Sequence, residues 1–321
     1  MAGSTPQGSG VPAAAQQGSQ PQVPAVIYLQ LMSTVLLWGF NWTLTKGVLH
    51  DISPVDFVAF RFGGAVFAMA ALTLAMRGSL LPLPGERLDL AILGAVQMGG
   101  SQFFSTVALN YVGAGRTIVL LYTLQLWALP LSWLVNRERL TARALCGGLL
   151  GFAGMILFVN PALVDWHDYR VLIGNAIGLC GGFSWALGAC FYRRRAWQSS
   201  FWTQTWWQVV WSAVAAGVFA ALFARHSAIT WNWHVLAVLT YNWIGPTMLC
   251  WLFWGKALAV MPAWRAGQVV ALTPVVGMIV SAIFTGEQIT ATVALSIVLI
   301  CTGTWISLGG KQKPIPAGED G

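Results

Sequence analysis

Apolar residues run through this chain in blocks of about twenty, separated by short breaks rich in turn residues. A helix needs ~20 predominantly apolar residues to cross a bilayer core of ~30 Å. Ten blocks meet that length: about 27–48, 55–76, 88–110, 114–136, 142–160, 171–192, 203–224, 234–256, 263–285 and 290–309. Between them stand Ser53-Pro54, Pro82-Leu83-Pro84-Gly85, Asn160-Pro161 and Met261-Pro262, which stop helices and turn the chain. The pattern predicts an all-α integral membrane protein with ten transmembrane helices. It also occurs twice. Residues 108–141 align with 257–290 at a constant offset of 149: Ala108, Leu109, Ala114, Arg116, Ser132, Glu138 and Thr141 match Ala257, Leu258, Ala263, Arg265, Ser281, Glu287 and Thr290. Trp38 and Lys46 keep the same spacing as Trp185 and Arg193. Five crossings per copy is an odd number, so the second copy starts from the opposite membrane face. Inverted repeats of this kind build secondary transporters whose sites lie near the midplane.

The expected organisation is a disordered cytoplasmic tail over 1–25, a first five-helix repeat over 26–165, a second, inverted one over 166–310 and a cytoplasmic tail over 311–321. Residues 1–25 carry no charge and too little apolar area to order themselves, and they lack the basic start of a secretory signal.

Composition sharpens this reading. Charged residues make up 8%, hydrophobic residues 57%, and mean hydropathy is +0.67, whereas soluble domains are about 25% charged. A net charge of +7 would suit a nucleic-acid partner, but the basic residues are scattered through short loops. They serve orientation instead. With the N-terminus inside, Arg77, Arg87, Arg137, Arg139, Arg143, Arg193, Arg194, Arg195, Lys256, Arg265, Lys311 and Lys313 are cytoplasmic. Only Lys46, Arg116, Arg170 and Arg225 lie outside. That bias places both termini in the cytoplasm.

The chemistry is sparse. Every carboxylate and histidine falls at a block end, in a loop or in a tail. Proton-driven antiporters keep an ionisable group within the membrane, so facilitated transport is favoured here, with proton antiport as the alternative. No phosphate-binding loop, paired-carboxylate metal site or cofactor motif is present. The five cysteines read as buried apolar thiols. Arg61 is the one charge inside a block, and its place near the block's end suggests snorkelling to the interface or pairing with Asp56. Glu138 and Glu287 are expected to cap helices and tie the scaffold together.

Uncharged polar residues form inward stripes instead. Thr34, Trp38, Asn41 and Thr45 share one side of the first helix; Gln97, Ser101, Phe104 and Ser105 do so in the third. Tyr122 and Gln125 lie close together in the fourth, Asn175, Gly178, Gly182 and Trp185 in the sixth, and Asn242, Pro246 and Cys250 in the eighth. Gln268 and Thr273 belong to the ninth. Such groups are costly against lipid, so they should point into the bundle, as glue between helices or as the lining of a wet cavity. Most of the eighteen tryptophans lie near block ends, where indoles anchor helices at the interface. Trp38 and Trp185 are deeper and related by the repeat, and are expected to face each other; Trp251 is a third candidate. The predicted substrate-binding residues are thus Trp38, Asn41, Gln97, Ser101, Tyr122, Gln125, Trp185, Asn242, Trp251 and Gln268. A charge-poor chamber of rings and amides suits amphipathic small molecules such as neutral amino acids with large side chains.

Ten helices in two inverted halves, Trp38-Gly39-Phe40-Asn41, Ser184-Trp185-Ala186 and the paired ends Asn136-Arg137-Glu138-Arg139-Leu140-Thr141 and Thr285-Gly286-Glu287-Gln288-Ile289-Thr290 resemble the drug/metabolite transporter superfamily, in its EamA branch. The resemblance spans roughly 27–310 and is greatest to the branch's aromatic amino acid exporters. It implies a non-enzymatic exporter of neutral, aromatic and other large amino acids working by alternating access. Its partners would be a small-molecule substrate and membrane lipid, with no nucleic acid, and a monomer is the expectation. An exporter of drugs or other amphipathic metabolites is one alternative, and a lipid-modifying membrane enzyme is another.

Overall fold

A computed structural model of the chain describes residues 23–137, 141–159, 168–223, 229–261 and 263–308. The described residues are helical, with no strand among them. Helix α1 spans Ala25–Val48 and α2 Pro54–Ala75. The start of α2 follows from its first four residues: Pro54 presets the first helical turn, and Ser53 accepts from the Asp56 N–H while donating to its carboxylate at 2.6 Å. After a short 3₁₀ turn over Pro84–Glu86 come α3 (Arg87–Leu93), a π-helical stretch (Gly94–Gly100) and α4 (Ser101–Ala108), joined end to end. Helices α5 (Ala114–Tyr122) and α6 (Leu124–Asn136) meet at Thr123, and α7 spans Ala142–Val159.

The second half repeats the order. Helix α8 spans Tyr169–Arg194 and α9 Phe201–Phe223. Helix α10 (Trp233–Asn242) runs through a second π-helical stretch (Trp243–Leu249) into α11 (Cys250–Val260). Helices α12 (Ala263–Val270), α13 (Thr273–Thr285) and α14 (Ala291–Leu308) complete the chain. The 149-residue offset seen in the sequence governs this geometry. Adding it to the bounds of the first π stretch, of α6 and of α7 gives those of the second π stretch, of α13 and of α14. It carries the α5–α6 junction at Thr123 onto Leu272, and the left-handed cap Arg137 (φ 54°) onto Gly286 (φ 69°).

Among the described residues six helical runs are long and apolar enough to cross a membrane: Ala25–Val48, Pro54–Ala75, Ala114–Val135, Tyr169–Arg194, Phe201–Leu222 and Trp233–Val260. Ala142–Leu157, Thr273–Thr285 and Ala291–Ile306 are shorter apolar helices. Together they make a multi-pass membrane protein. Large apolar side chains such as Phe67, Leu222 and Ile283 face outward, where lipid and not water would be their solvent.

Packing exchanges partners between the halves: α1 lies on α13 and on α11, α8 on α6 and on α4. The pairs α2–α9 and α7–α14 join equivalent helices of the two halves. Small residues set the closest approaches. A side chain on Gly303 would come within 2.5 Å of the Gly147 carbonyl and the Gly151 N–H, so α7 and α14 touch backbone to backbone. Gly39 similarly admits Val276 of α13 against α1.

Candidate functional site

The predicted polar stripes turn inward. Thr34, Asn41 and Thr45 on α1, Ser101 and Ser105 on α4, Asn175 on α8 and Asn242 on α10 are all buried. Several have polar atoms with no protein partner: Asn41 Oδ1, Thr45 Oγ1, Gln97 Oε1, Ser101 Oγ, Ser105 Oγ, Thr106 Oγ1 and Asn242 Oδ1, and both side-chain heteroatoms of Asn175. A buried polar atom left unpaired costs about 1–3 kcal/mol, so helices glued only to one another would not carry so many. Such atoms suit a path for hydrated or polar solute. The side chains of Gln125 and Gln268 lie outside the described residues.

Broken helices shape the centre. At the α5–α6 junction the Thr123 hydroxyl donates to the Leu120 carbonyl at 2.6 Å; at the α12–α13 junction Thr273 donates to Val270 at 2.6 Å. Tyr122, buried beside the first break, lies against Thr273 beside the second. Irregular backbone at membrane depth is tolerated where it is enclosed by protein or lines a cavity. The π stretches engage the first helix of each half. Trp38 on α1 donates its indole N–H to the Pro246 carbonyl at 3.0 Å, and Tyr241 donates back to Leu37 at 2.7 Å. On the other side, Ser184 on α8 donates to Val96 at 2.6 Å.

Trp38 and Trp185 therefore have different jobs. Trp38 pins α1 to the π stretch. The ring opposite Trp185 is Trp251: their centroids are 6.3 Å apart with planes 23° from parallel, and Phe201 tilts against Trp251 at 6.2 Å. This stack joins α8 to α11 and supplies an aromatic wall.

Arg61 overturns its sequence expectation. Its residue exposure is 5%, so the side chain does not snorkel. It does not pair with Asp56, which is occupied by Ser53. Its Nη1 donates to Gln102 Oε1 on α4 at 2.6 Å, and Nε has no protein partner. Tyr241 and Cys250 are its polar neighbours from the second half, and Cys250 in turn lies against Thr34. Five residues separate Asp56 from Arg61, about 140° around a helix. Arg61 instead shares its side with Phe57, Val58 and Ala65, all fully buried. That spacing was the signal available in the sequence.

Charged groups elsewhere tie helix ends. Glu287 accepts from the backbone N–H groups of Gly115 (3.0 Å) and Arg116 (3.3 Å) at the start of α5, as well as from the Ser281 hydroxyl. It is a cap delivered across the bundle. Glu138 lies outside the described residues. Near the α2–α3 connection, Glu86 accepts from the Gln198 and Ser199 N–H groups and the Ser199 hydroxyl, and Arg195 pairs with Asp89. Burial alone would raise the Glu86 carboxyl; these hydrogen bonds and the nearby Arg195 outweigh it and hold it below the usual carboxylate range. Beside this cluster a cleft of about 550 Å³ opens between α3 and α8, lined by Leu93, Val96, Leu187, Gly188 and Phe191 among others.

Two cysteines also depart from expectation: Cys146 and Cys180 are on the outer surface of the bundle, while Cys190 and Cys250 are buried. Thiols are small apolar groups as acceptable to lipid as to a protein core. Among the described residues no group of histidines, cysteines and carboxylates is placed to hold a metal ion.

Known proteins share this architecture. A solved crystal structure superposes with a TM-score of 0.63 at 17% identity, over 89% of this chain and 97% of its own. The uncharacterized transporter YoaV of Bacillus subtilis is 25% identical over 88% of this chain and 96% of its own length. A probable amino-acid metabolite efflux pump of Escherichia coli is 26% identical over 87% and 93%. A pump of the same description from Salmonella typhimurium is 28% identical over 86% and 92%. The EamA-like transporter family matches twice, over residues 25–160 and 172–309. With both halves of its bundle matched, the chain belongs to the EamA-like transporter family.

Proposed function

We propose that this chain exports neutral, aromatic and other large amino acids from the cytoplasm by alternating access. Ten crossings would form two inverted five-helix repeats in a bacterial inner membrane, with both termini cytoplasmic. The observation that carries the reading is the Trp185–Trp251 stack between α8 and α11, in a bundle that also holds buried amides and hydroxyls without protein partners. Indole faces suit a large apolar side chain, and the polar atoms suit an amino acid's charged ends. Names of relatives agree: two are probable amino-acid metabolite efflux pumps. The likeness to the aromatic amino acid exporter YddG rests on the Trp-rich helices and overall length. The partner exchange between α1–α13 and α8–α6, with the shared 149-residue offset, supports the two-fold repeat. Trp38, Asn41, Gln97, Ser101, Tyr122, Trp185, Asn242 and Trp251 are the proposed lining, together with Gln125 and Gln268.

Facilitated transport is the favoured coupling. Carboxylates of the described helices are confined to first turns, as at Asp56 and Asp89, so none is placed to carry a proton through the centre. Purified protein in liposomes should take up phenylalanine, tryptophan or leucine down a gradient, with or without a pH difference. Uptake that requires a pH gradient would defeat the coupling assignment. Transport of unrelated amphipathic drugs without any amino acid would defeat the substrate assignment in favour of a general metabolite exporter.

A further inference from the structure

Arg61 stands out as a cation that the scaffold does not explain. A charge inside a membrane bundle is retained at considerable cost and is ordinarily paired with a carboxylate or directed at a polar path. Among the described residues Arg61 makes no ion pair or carboxylate bond. Its one hydrogen bond goes to the neutral amide of Gln102, and its Nε is left without a protein partner despite burial. Gln102 fixes one arm of a fork that carries five N–H donors, and the remaining donors suit a planar anion.

The repeat supplies a second, independent observation. Adding 149 to Gln102 gives Trp251, and the shift of 147 that relates Trp38 to Trp185, and Pro54 of α2 to Phe201 of α9, takes Arg61 to Gln208. One half thus places Arg61 and Gln102 where the other places Gln208 and Trp251. Trp251 packs on the same apolar cluster as Phe62, the neighbour of Arg61, and Cys250 beside it is among the polar neighbours of Arg61. A cationic wall and an aromatic wall adjoin at equivalent positions of the two halves.

We infer that Arg61 is the carboxylate receptor of this site, holding a substrate's carboxylate while Trp185 and Trp251 receive its apolar side chain. Gln102 is a positioning residue for the guanidinium. This rests on the transport reading above and adds a selectivity rule: amphipathic solutes bearing a carboxylate are preferred over their carboxamides.

The test uses the full chain in liposomes and two matched pairs, phenylalanine against phenylalaninamide and 3-phenylpropanoate against 3-phenylpropanamide. Quenching of indole fluorescence on the purified chain gives the same binding ratios without transport. The wild type should favour the carboxylate member of each pair about tenfold or more, the scale of a charge-assisted hydrogen bond. Arg61→Gln should bring both ratios to within about twofold of unity, and Arg61→Lys, which keeps the charge and loses the fork, should fall between. A merely structural arginine would change protein yield or melting but leave these ratios alone. A wild type without the preference overturns the inference whether or not the variants fold, and so does a tenfold preference that survives in Arg61→Gln. Phenylpropanoate selectivity that depends on Arg61 without phenylalanine transport would sink the amino-acid reading while leaving this receptor standing. Phenylalanine transport with selectivity indifferent to Arg61 would do the reverse. Failure of all four compounds to bind would overturn both.

Discussion

From Arg87 to Val159 and from Leu236 to Leu308 the helical segments keep step 149 residues apart, yet Gln102 grips an arginine where Trp251 stacks on an indole. Backbone geometry answers to pattern, so two halves with the same apolar rhythm and the same break points fold alike. Side-chain chemistry at the inward positions is under no such constraint. Two halves of similar backbone can therefore present different walls, and the proposed amphipathic substrate would need two different walls. The same holds at the periphery: Glu86 latches the α2–α3 connection to Ser199, while its counterpart at the 149-residue shift is Val235, a fully buried apolar residue.

The largest expected effect lies where the halves are most alike. Gly154 and Gly303 are equivalent and sit in the α7–α14 crossing. Added side-chain carbon at Gly303 would come within 2.5 Å of α7 backbone, whereas at Gly154 it first meets the Leu299 Cβ at 2.7 Å, with α14 backbone at 2.9 Å. Gly303→Leu should therefore destabilise the protein by about 3 kcal/mol or more, and Gly154→Leu by less. Thermal melting in detergent measures both, and equal losses would show that backbone contact is not what limits this crossing.

Next come the paired indoles. Trp185→Ala removes one face of the stack and should raise the KM for aromatic substrates about tenfold with insertion intact. Trp38→Ala removes a clasp to the π stretch, so it should lower melting temperature and transport rate, with less effect on KM. Identical kinetic changes at the two sites would erase the distinction drawn between them.

A smaller contrast concerns the left-handed caps. Arg137→Gly should stabilise by roughly 0.5–1 kcal/mol by relieving strain at φ 54°, and Gly286→Ala should destabilise by a similar amount. Shifts of the same sign in chemical unfolding would contradict the equivalence of these turns.

The smallest is the Glu86 latch. Its carboxyl is held below the ordinary range, so its contribution is present above the unfolded carboxylate value near 4 and disappears as pH falls through the lowered folded value. Melting temperature should thus drop on acidification below about pH 4, and Glu86→Gln should lose that component of the pH dependence.

The apolar rhythm placed helix ends within a few residues, because burial in lipid demands long apolar runs and Ser53-Pro54 leaves a helix little choice of starting point. The inward stripes were legible for the same reason: an exposed Asn41 or Ser101 is costly in hydrocarbon. Arg61 was harder, since closeness to Asp56 in sequence suggested an ion pair that a five-residue spacing on a helix forbids. The partner of Trp185 was harder still. Repeat symmetry relates Trp38 to Trp185 but does not bring them together, and the contact with Trp251 depends on how α8 and α11 cross.

The π-helical stretches hold one more consequence. Each accommodates an extra residue within a turn, and one residue turns an ordinary helix by about 100°. Everything downstream, Gln102 in one half and Trp251 in the other, owes its compass bearing to that insertion. Shortening Gly94–Gly100 or Trp243–Leu249 by one residue would leave the rods the right length for the bilayer and swing the cationic or the aromatic wall out of the centre.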